Sequence, residues 1–438
     1  MKPLVIKEWN GEDILTCAEK LSSLPYSLFF DSNRLSHPEN QWSFLCWNPI
    51  ETITSKNSII THNGKNIDKC DVFHFLQTRL DRYSFRDHLD IPFTGGLAGY
   101  WGYDLGRELE IIPENTIDDI NVPDMMVGIY TNVLAHDHKS NKTWLVGDKP
   151  CFPTTKKLPY NSADLKWNTQ TSDEDYKGKI QKIIDYIYAG EIYQVNLSRR
   201  FEADLPKEFN RFEHYKKLRK INSAPFSAYM NFGEVHISSS SPERFLKCAK
   251  SFVETQPIKG TLPSSCPAEF LKNSQKDIAE NTMIVDLLRN DLSKVCDYHS
   301  VKVPKLCELQ TFEGLHHLVS TVTGTLQKGK TALDLLKACF PGGSITGAPK
   351  IRAMEIIEEL EETRRGPYCG AMGYINFNGN MDTNIIIRTL IYTQNKAYLQ
   401  TGSGIVSDSK PAQELQESLD KAQKIFESFD TKRKESAA

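Results

Sequence analysis

The stretch that most limits what this chain can fold into is residues 95–107, where five glycines are interleaved with Leu97, Ala98, Tyr100, Trp101, Tyr103 and Leu105. Glycine next to large rings implies backbone packed very closely against backbone. A phosphate loop is the functional alternative, but no G-x-G-x-x-G run precedes a clear helix here. Upstream, the apolar runs 42–47, 51–54 and 58–62 alternate with turn residues, as antiparallel strands do. Residues 1–150 therefore read as an α+β lobe. The Pro/Lys/Asn/Ser-rich stretch 149–166 reads as a connector, so the expected division is 1–150, a linker over 151–168 and a second domain over 169–432. A chain of 438 residues is long enough for two lobes or one large composite domain.

Beyond the connector the periodicity sharpens. Ser172 is placed to cap a helix in which Tyr176, Ile180, Ile183, Ile184 and Ile187 form one stripe, and Gly190 is placed to stop it. A strand over 192–201 follows, with Gln194, Asn196 and Ser198 lining one face. A second runs over 235–245, through four serines to Glu243, and a third covers the β-branched run 384–391 with Arg388 alone inside it. An arginine in such a run pairs with an internal acid or a substrate carboxylate. The helix over 277–295 puts Glu280 on the face of Leu287, leaving two readings: a carboxylate exposed at a helix end, or one held for a metal or catalysis. The last helix, from Pro411, carries Glu414, Glu417 and Lys421 on one face, by pattern a solvated charge cluster.

Two glycine-rich turns complete the picture. Residues 340–350 feed a helix N-terminus, which favours an anion, and 401–404 offer backbone N–H groups to a carboxylate. Lys259 stands between Pro257 and Gly260, so its amine projects from a stiff corner, either as a surface lysine in a turn or as a catalytic group. Composition removes other classes. A net charge of −3 without a basic stripe argues against nucleic acid. No run of about 18 apolar residues is present to span a membrane. Ten cysteines with no C-x-x-C pair argue against zinc knuckles and a disulfide framework, and read as reduced thiols of a cytoplasmic protein.

The runs SSPERF (240–245), PIKGT (257–261), IAENTMIVDLLRNDL (278–292), HHLVS (316–320), FPGGSITGAPKIRAMEIIEELE (340–361), MGYINFNGNMDTNIIIR (372–388) and TGSGIVSDS (401–409) resemble, in this order, the chorismate-utilising enzymes. SLFFDS (27–32) and GGLAGYWGYDLGRELE (95–110) extend the resemblance across essentially the whole chain. It implies an α+β fold, a composite α/β sandwich of two facing, largely antiparallel sheets with outer helices. Two positions separate the family's reactions. Water-adding members carry a lysine base where Gln194 stands, and anthranilate-forming members have alanine where Lys259 stands. The resemblance thus implies the aminodeoxychorismate-forming branch, with Lys259 as covalent nucleophile and Glu243 as general acid. An anthranilate-forming enzyme and a catalytically silent binding subunit are the alternatives. It further implies Mg²⁺ on Glu280 and Glu417, with Glu414 assisting. Substrate contacts are implied for Gln194, Thr261, His317, Thr346, Gly347, Tyr374, Arg388, Gly402, Gly404 and Lys421. Chorismate and ammonia are the implied reactants, with ammonia from a glutamine amidotransferase subunit, since the chain lacks a G-x-C-x-G nucleophile motif. A tryptophan pocket is implied at Ser32. The family usually has glycine where Ser403 stands, which leaves the path of 401–404 to be found.

Overall fold

In the computed structural model, which describes residues 5–33, 40–67, 70–83, 90–153, 165–312 and 315–429, Gly99 and Gly373 lie opposite each other on the paired strands Gly96–Trp101 and Ala371–Asn376. A side-chain carbon on Gly99 would lie 2.1 Å from the Met126 carbonyl, and one on Gly373 2.1 Å from the Asp382 carbonyl. Only glycine allows these strands to sit as they do.

Those strands belong to one of two twelve-stranded sheets. The first runs from Ile6–Glu8 through N-terminal strands to Ser27–Asp31, then through Phe226–Asn231, Val235–Ser241, Thr389–Thr393 and Lys396–Ile405 to Gln194–Asp204. The second runs from Ile258–Pro263 through Leu315–Thr325, Arg244–Ala249, Met381–Ile385 and Ala371–Asn376 to Gly96–Trp101 and Glu51–Lys56. Neighbouring strands in both pair antiparallel. Each sheet draws strands from both ends of the chain, so the two halves share their sheets. Residues 154–164 of the expected linker, and the last residues of the expected second domain, lie outside the described residues.

The sheets face each other across a core that includes Leu28, Phe44, Met230 and Ile237 from the first and Tyr100, Met126, Met372 and Tyr374 from the second. Helices cover the outer faces. Helix Asp173–Tyr188 is capped by Ser172, whose side chain accepts from Asp175 N, and buries Tyr176, Ile180, Ile183 and Ile184. Helix Gln275–Ser293, capped by Ser274, buries Ile284, Val285, Leu288 and Leu292. The last helix, Pro411–Glu427, packs Ala422 and Ile425 onto Leu399 and Phe201. Among the described residues no helix is long and apolar enough to cross a membrane.

Two expected strands are each broken, for the same reason. Residues 235–245 form Val235–Ser241 in the first sheet and Arg244–Ala249 in the second, with the chain crossing between sheets at Pro242-Glu243. Residues 384–391 cross back, leaving the second sheet after Ile385 and joining the first at Thr389, with Arg388 between them at φ +50°. β-Branched residues favour extended backbone, but the layer to which it belongs is decided by tertiary pairing. The crossings run side by side, joined by Ile385 N to Glu243 O at 3.1 Å, Ser240 N to Arg388 O at 3.1 Å and Ser241 Oγ to Ile385 O at 2.6 Å.

Candidate active site

The paired crossings set a buried acid close to an arginine. Glu243 lies under the glycine-rich loop, where Ser344 Oγ donates to its Oε1 at 2.8 Å. Burial pushes the Glu243 carboxyl above the usual carboxylate range, opposed by the Ser344 hydrogen bond and by the charges of Lys259, Lys421 and Arg388. Three cations thus converge on this one carboxyl and are available to an anionic ligand.

Lys259 enters from the edge of the second sheet. It pairs with Leu318 while Thr261 pairs with His317, leaving Gly260 (φ +69°) as the extra residue of a β-bulge. The lysine reaches across to the first sheet, where Asn196 pairs with Gly404. A side-chain carbon on Gly404 would come within 2.9 Å of Gln194 Nε2 and 3.3 Å of Lys259 Nζ, so glycine keeps this space open for both. Gln194 is wholly buried, and neither its Nε2 nor its Oε1 has a hydrogen-bond partner among the described residues. A buried carboxamide without partners costs free energy, and a ligand with its own donors and acceptors would satisfy it. Lys421 Nζ donates to Gly402 O at 3.1 Å, closing the space from the C-terminal helix.

Three further carboxylates stand at the rim, and they are not equivalent. Glu414 is 4% exposed and accepts from Ser409 Oγ at 2.7 Å, so the solvated cluster expected on the last helix is half sunk into protein. Glu417 opens to the cleft and pairs with Lys421 at 2.7 Å. Burial pushes its carboxyl up, but Lys421, together with Lys259 and Lys276, leaves it below the usual range. Glu280 is pushed up by burial, with Lys259 and Lys276 opposing. Among the described residues no three ligating side chains form a ready metal cluster. The donor set nevertheless fits Mg²⁺, which takes one or two carboxylates and keeps several waters, and a lysine ammonium is already drawn within 4.0 Å of both Glu280 and Glu414.

Comparison with known proteins gives the family. The family model for chorismate-binding enzymes matches residues 30–427. The chain belongs to the chorismate-binding enzymes. Aminodeoxychorismate synthase component 1 from Escherichia coli K12 is 41% identical over 96% of this chain and 97% of its own length. Its counterpart from Salmonella typhimurium is 40% identical over 97% and 98%. Among solved structures, anthranilate synthase component I from Streptococcus pneumoniae superposes with a TM-score of 0.80 at 33% identity, over 88% of this chain and 92% of that one. The menaquinone-specific isochorismate synthase from Escherichia coli shares the fold, with a TM-score of 0.72 at 17% identity, over 97% and 94%. The α+β sandwich is thus that of the family, and chorismate is the substrate of this chorismate-binding enzyme.

Not every residue expected at the chorismate site is brought to it. Tyr374 points into the sandwich core, its ring 4.6 Å from Phe93 and 5.2 Å from Phe44, and it lines a separate cavity of about 750 Å³ with Phe30, Ser32, Arg244 and Asp382. The register that pairs Tyr374 with both Ala98 and Asp382 fixes this side. Ser32, expected at a tryptophan pocket, lines that same cavity. Thr346 is wholly buried and donates to Gly342 O at 2.9 Å, shaping the loop. Gly347 brings that loop onto strand Gln194–Asp204 by pairing with Val195. Thr261 and His317 bond to each other at 3.0 Å on the exposed side of the bulge. Ser403 pairs with Leu197 inside strand Lys396–Ile405, so the 401–404 segment is ladder rather than open loop.

Sequence reasoning missed three contributors. Ser344 sits in a loop read only for its backbone. Lys276 stands one turn before Glu280, a spacing that could have flagged it. Arg365, on which the sequence reading was silent, is buried, pairs with Glu361 at 2.7 Å, and donates to Ile345 O at 2.9 Å and Asn196 O at 2.7 Å. It ties the Ser344 loop to the Gln194 strand.

Proposed function

We propose that this chorismate-utilising enzyme forms 4-amino-4-deoxychorismate from chorismate and ammonia through a covalent bond to Lys259. The observation that carries the reading is the placement of Lys259 Nζ beside Gln194 and Gly404, within the electrostatic reach of a buried, proton-retaining Glu243. The neutral amine attacks ring C2, both ring double bonds shift one place towards C4, and the C4–O bond breaks as Glu243 gives its proton to the departing hydroxyl, releasing water. Ammonia then attacks C4. Both double bonds shift back, the C2–N bond breaks to return Lys259 as a neutral amine, and the new C4 ammonium returns a proton to Glu243. Gln194, with no acid–base chemistry of its own, leaves ammonia rather than activated water as the second nucleophile.

Arg388 and Lys421, with backbone N–H groups near Gly402 and Gly404, hold the carboxylates of chorismate. Glu280, Glu417 and Glu414 would hold Mg²⁺, which supplies a hard cation for a substrate carboxylate. A separate glutamine amidotransferase supplies ammonia in the cytoplasm, in keeping with the component 1 names of the relatives. The cavity at Ser32 takes tryptophan, which a calorimetric titration decides.

The test is to mix the chain with chorismate, Mg²⁺ and an ammonium salt, and identify the product by mass and ultraviolet spectrum. Aminodeoxychorismate is expected, with glutamine failing to replace ammonium. Chorismate without ammonia should leave an adduct on the peptide spanning residues 256–262. Anthranilate as product, or wild-type rates from Lys259→Ala with no adduct, would sink the reading.

A further inference from the structure

The carboxylates assigned to the metal already hold a cation of the protein's own. Lys276 places its ammonium 3.8 Å from Glu280 on its own helix and 4.0 Å from Glu414 on the C-terminal helix. Its charge also acts on Glu417. The partners differ in freedom. Glu414 is sunk into protein and fixed by Ser409, and the Glu280 side chain is 14% exposed, whereas that of Lys276 is 46% exposed on a long flexible stem. The ammonium can swing into water without disturbing either helix, but the carboxylates cannot separate. Lys259 also acts on Glu280, but it is tied to the sheet edge and faces Gly404.

A divalent ion drawing oxygens from both helices would have to stand where this ammonium bridges them, and two cations cannot share so small a space. We propose that Lys276 is the resident counter-ion of the Glu280–Glu414 pair, and that a divalent cation binds only by displacing it. The lysine keeps two converging acids from repelling each other while no metal is bound. In exchange it weakens the hold on the ion. The effect belongs to a half-exposed ion pair, so about two- to tenfold in the dissociation constant is the range to look for.

This inference rests on the metal reading above, and the experiment separates the two. Mn²⁺ is titrated into the full chain without substrate, and the free ion is measured by electron paramagnetic resonance. Lys276→Met keeps most of the stem and removes the charge, so it should bind Mn²⁺ about two- to tenfold more tightly. Lys276→Arg should stay at the wild-type constant. Unchanged or weaker binding by Lys276→Met overturns the displacement. Glu280→Gln and Glu414→Gln test the site itself: if neither weakens Mn²⁺ binding to the otherwise native chain, the metal reading falls whatever Lys276 does.

Discussion

Glu243 and Glu417 both border the same cleft, yet they are prepared for opposite tasks. Glu243 lies at a sheet crossing under a loop, and burial is the strongest influence on it, so it retains its proton above the usual range despite three nearby cations. Glu417 lies on a helix face open to the cleft, and an ammonium at 2.7 Å keeps it ionised. Burial is the largest influence on both, and the difference lies in the partner at contact distance, a hydroxyl for Glu243 and an ammonium for Glu417. A carboxyl that loses hydration without a close cation becomes an acid, and one with a cation at contact distance remains an anion. The sandwich makes the first by enclosing a crossing point and the second by lining a helix along the rim.

Breaking the acid side should have the largest effect. Glu243→Gln cannot give up a proton, so kcat should fall by about 10²–10⁴-fold, the usual worth of a general acid. Steady-state rates at saturating chorismate check this, and a loss below tenfold would place the acid elsewhere. Breaking the anion side should cost less at high metal. Glu280→Gln and Glu417→Gln should each raise the Mg²⁺ needed for half-maximal rate by about 10–100-fold, at least what supporting residues of metal sites contribute, with the far-ultraviolet spectrum unchanged. A Mg²⁺ dependence identical to wild type would remove these residues from the metal.

The smallest change sharpens the contrast. Ser344 stabilises the ionised form of Glu243, so Ser344→Ala should push that carboxyl higher still. Activity needs the protonated form, full below the folded value and lost as pH rises through it. The alkaline limb of the kcat/KM profile should therefore move upward in Ser344→Ala, with less than tenfold change at the optimum. A downward shift would show that Glu243 does not set that limb. Linkage runs the same way: a folded value above the unfolded one favours the fold fully below the unfolded value, and the benefit fades as pH rises through the folded one.

Local elements were largely legible in the sequence, because caps and stripes are local. Ser172 caps its helix, Pro411 opens the last one, and residues 95–107 pack backbone against backbone. The placement of Tyr374 was not legible. Strand alternation makes two faces but does not say which borders the cleft, and a tyrosine suits an aromatic core as well as a substrate site. The broken strands at Glu243 and Arg388 were equally hidden, since nothing in a β-branched run marks where the chain leaves one layer for another. Their chemistry was read from residue type, and their adjacency required the fold.

The twin crossings also tie together the lengths of two distant segments. Val235–Ser241 pairs with Thr389–Thr393 in one sheet, and Arg244–Ala249 pairs with Met381–Ile385 in the other, so both crossings bridge the same gap. One residue added between Ser241 and Arg244 would leave one ladder in place and turn every following side chain of the other to the opposite face. Only a matching change between Ile385 and Thr389 could restore both. Ser241 and Ile385, at the starts of the two crossings, lie 144 positions apart in the sequence, yet for insertion and deletion the two segments behave as a single site, and related chains that fold this way should change length there in both segments or in neither.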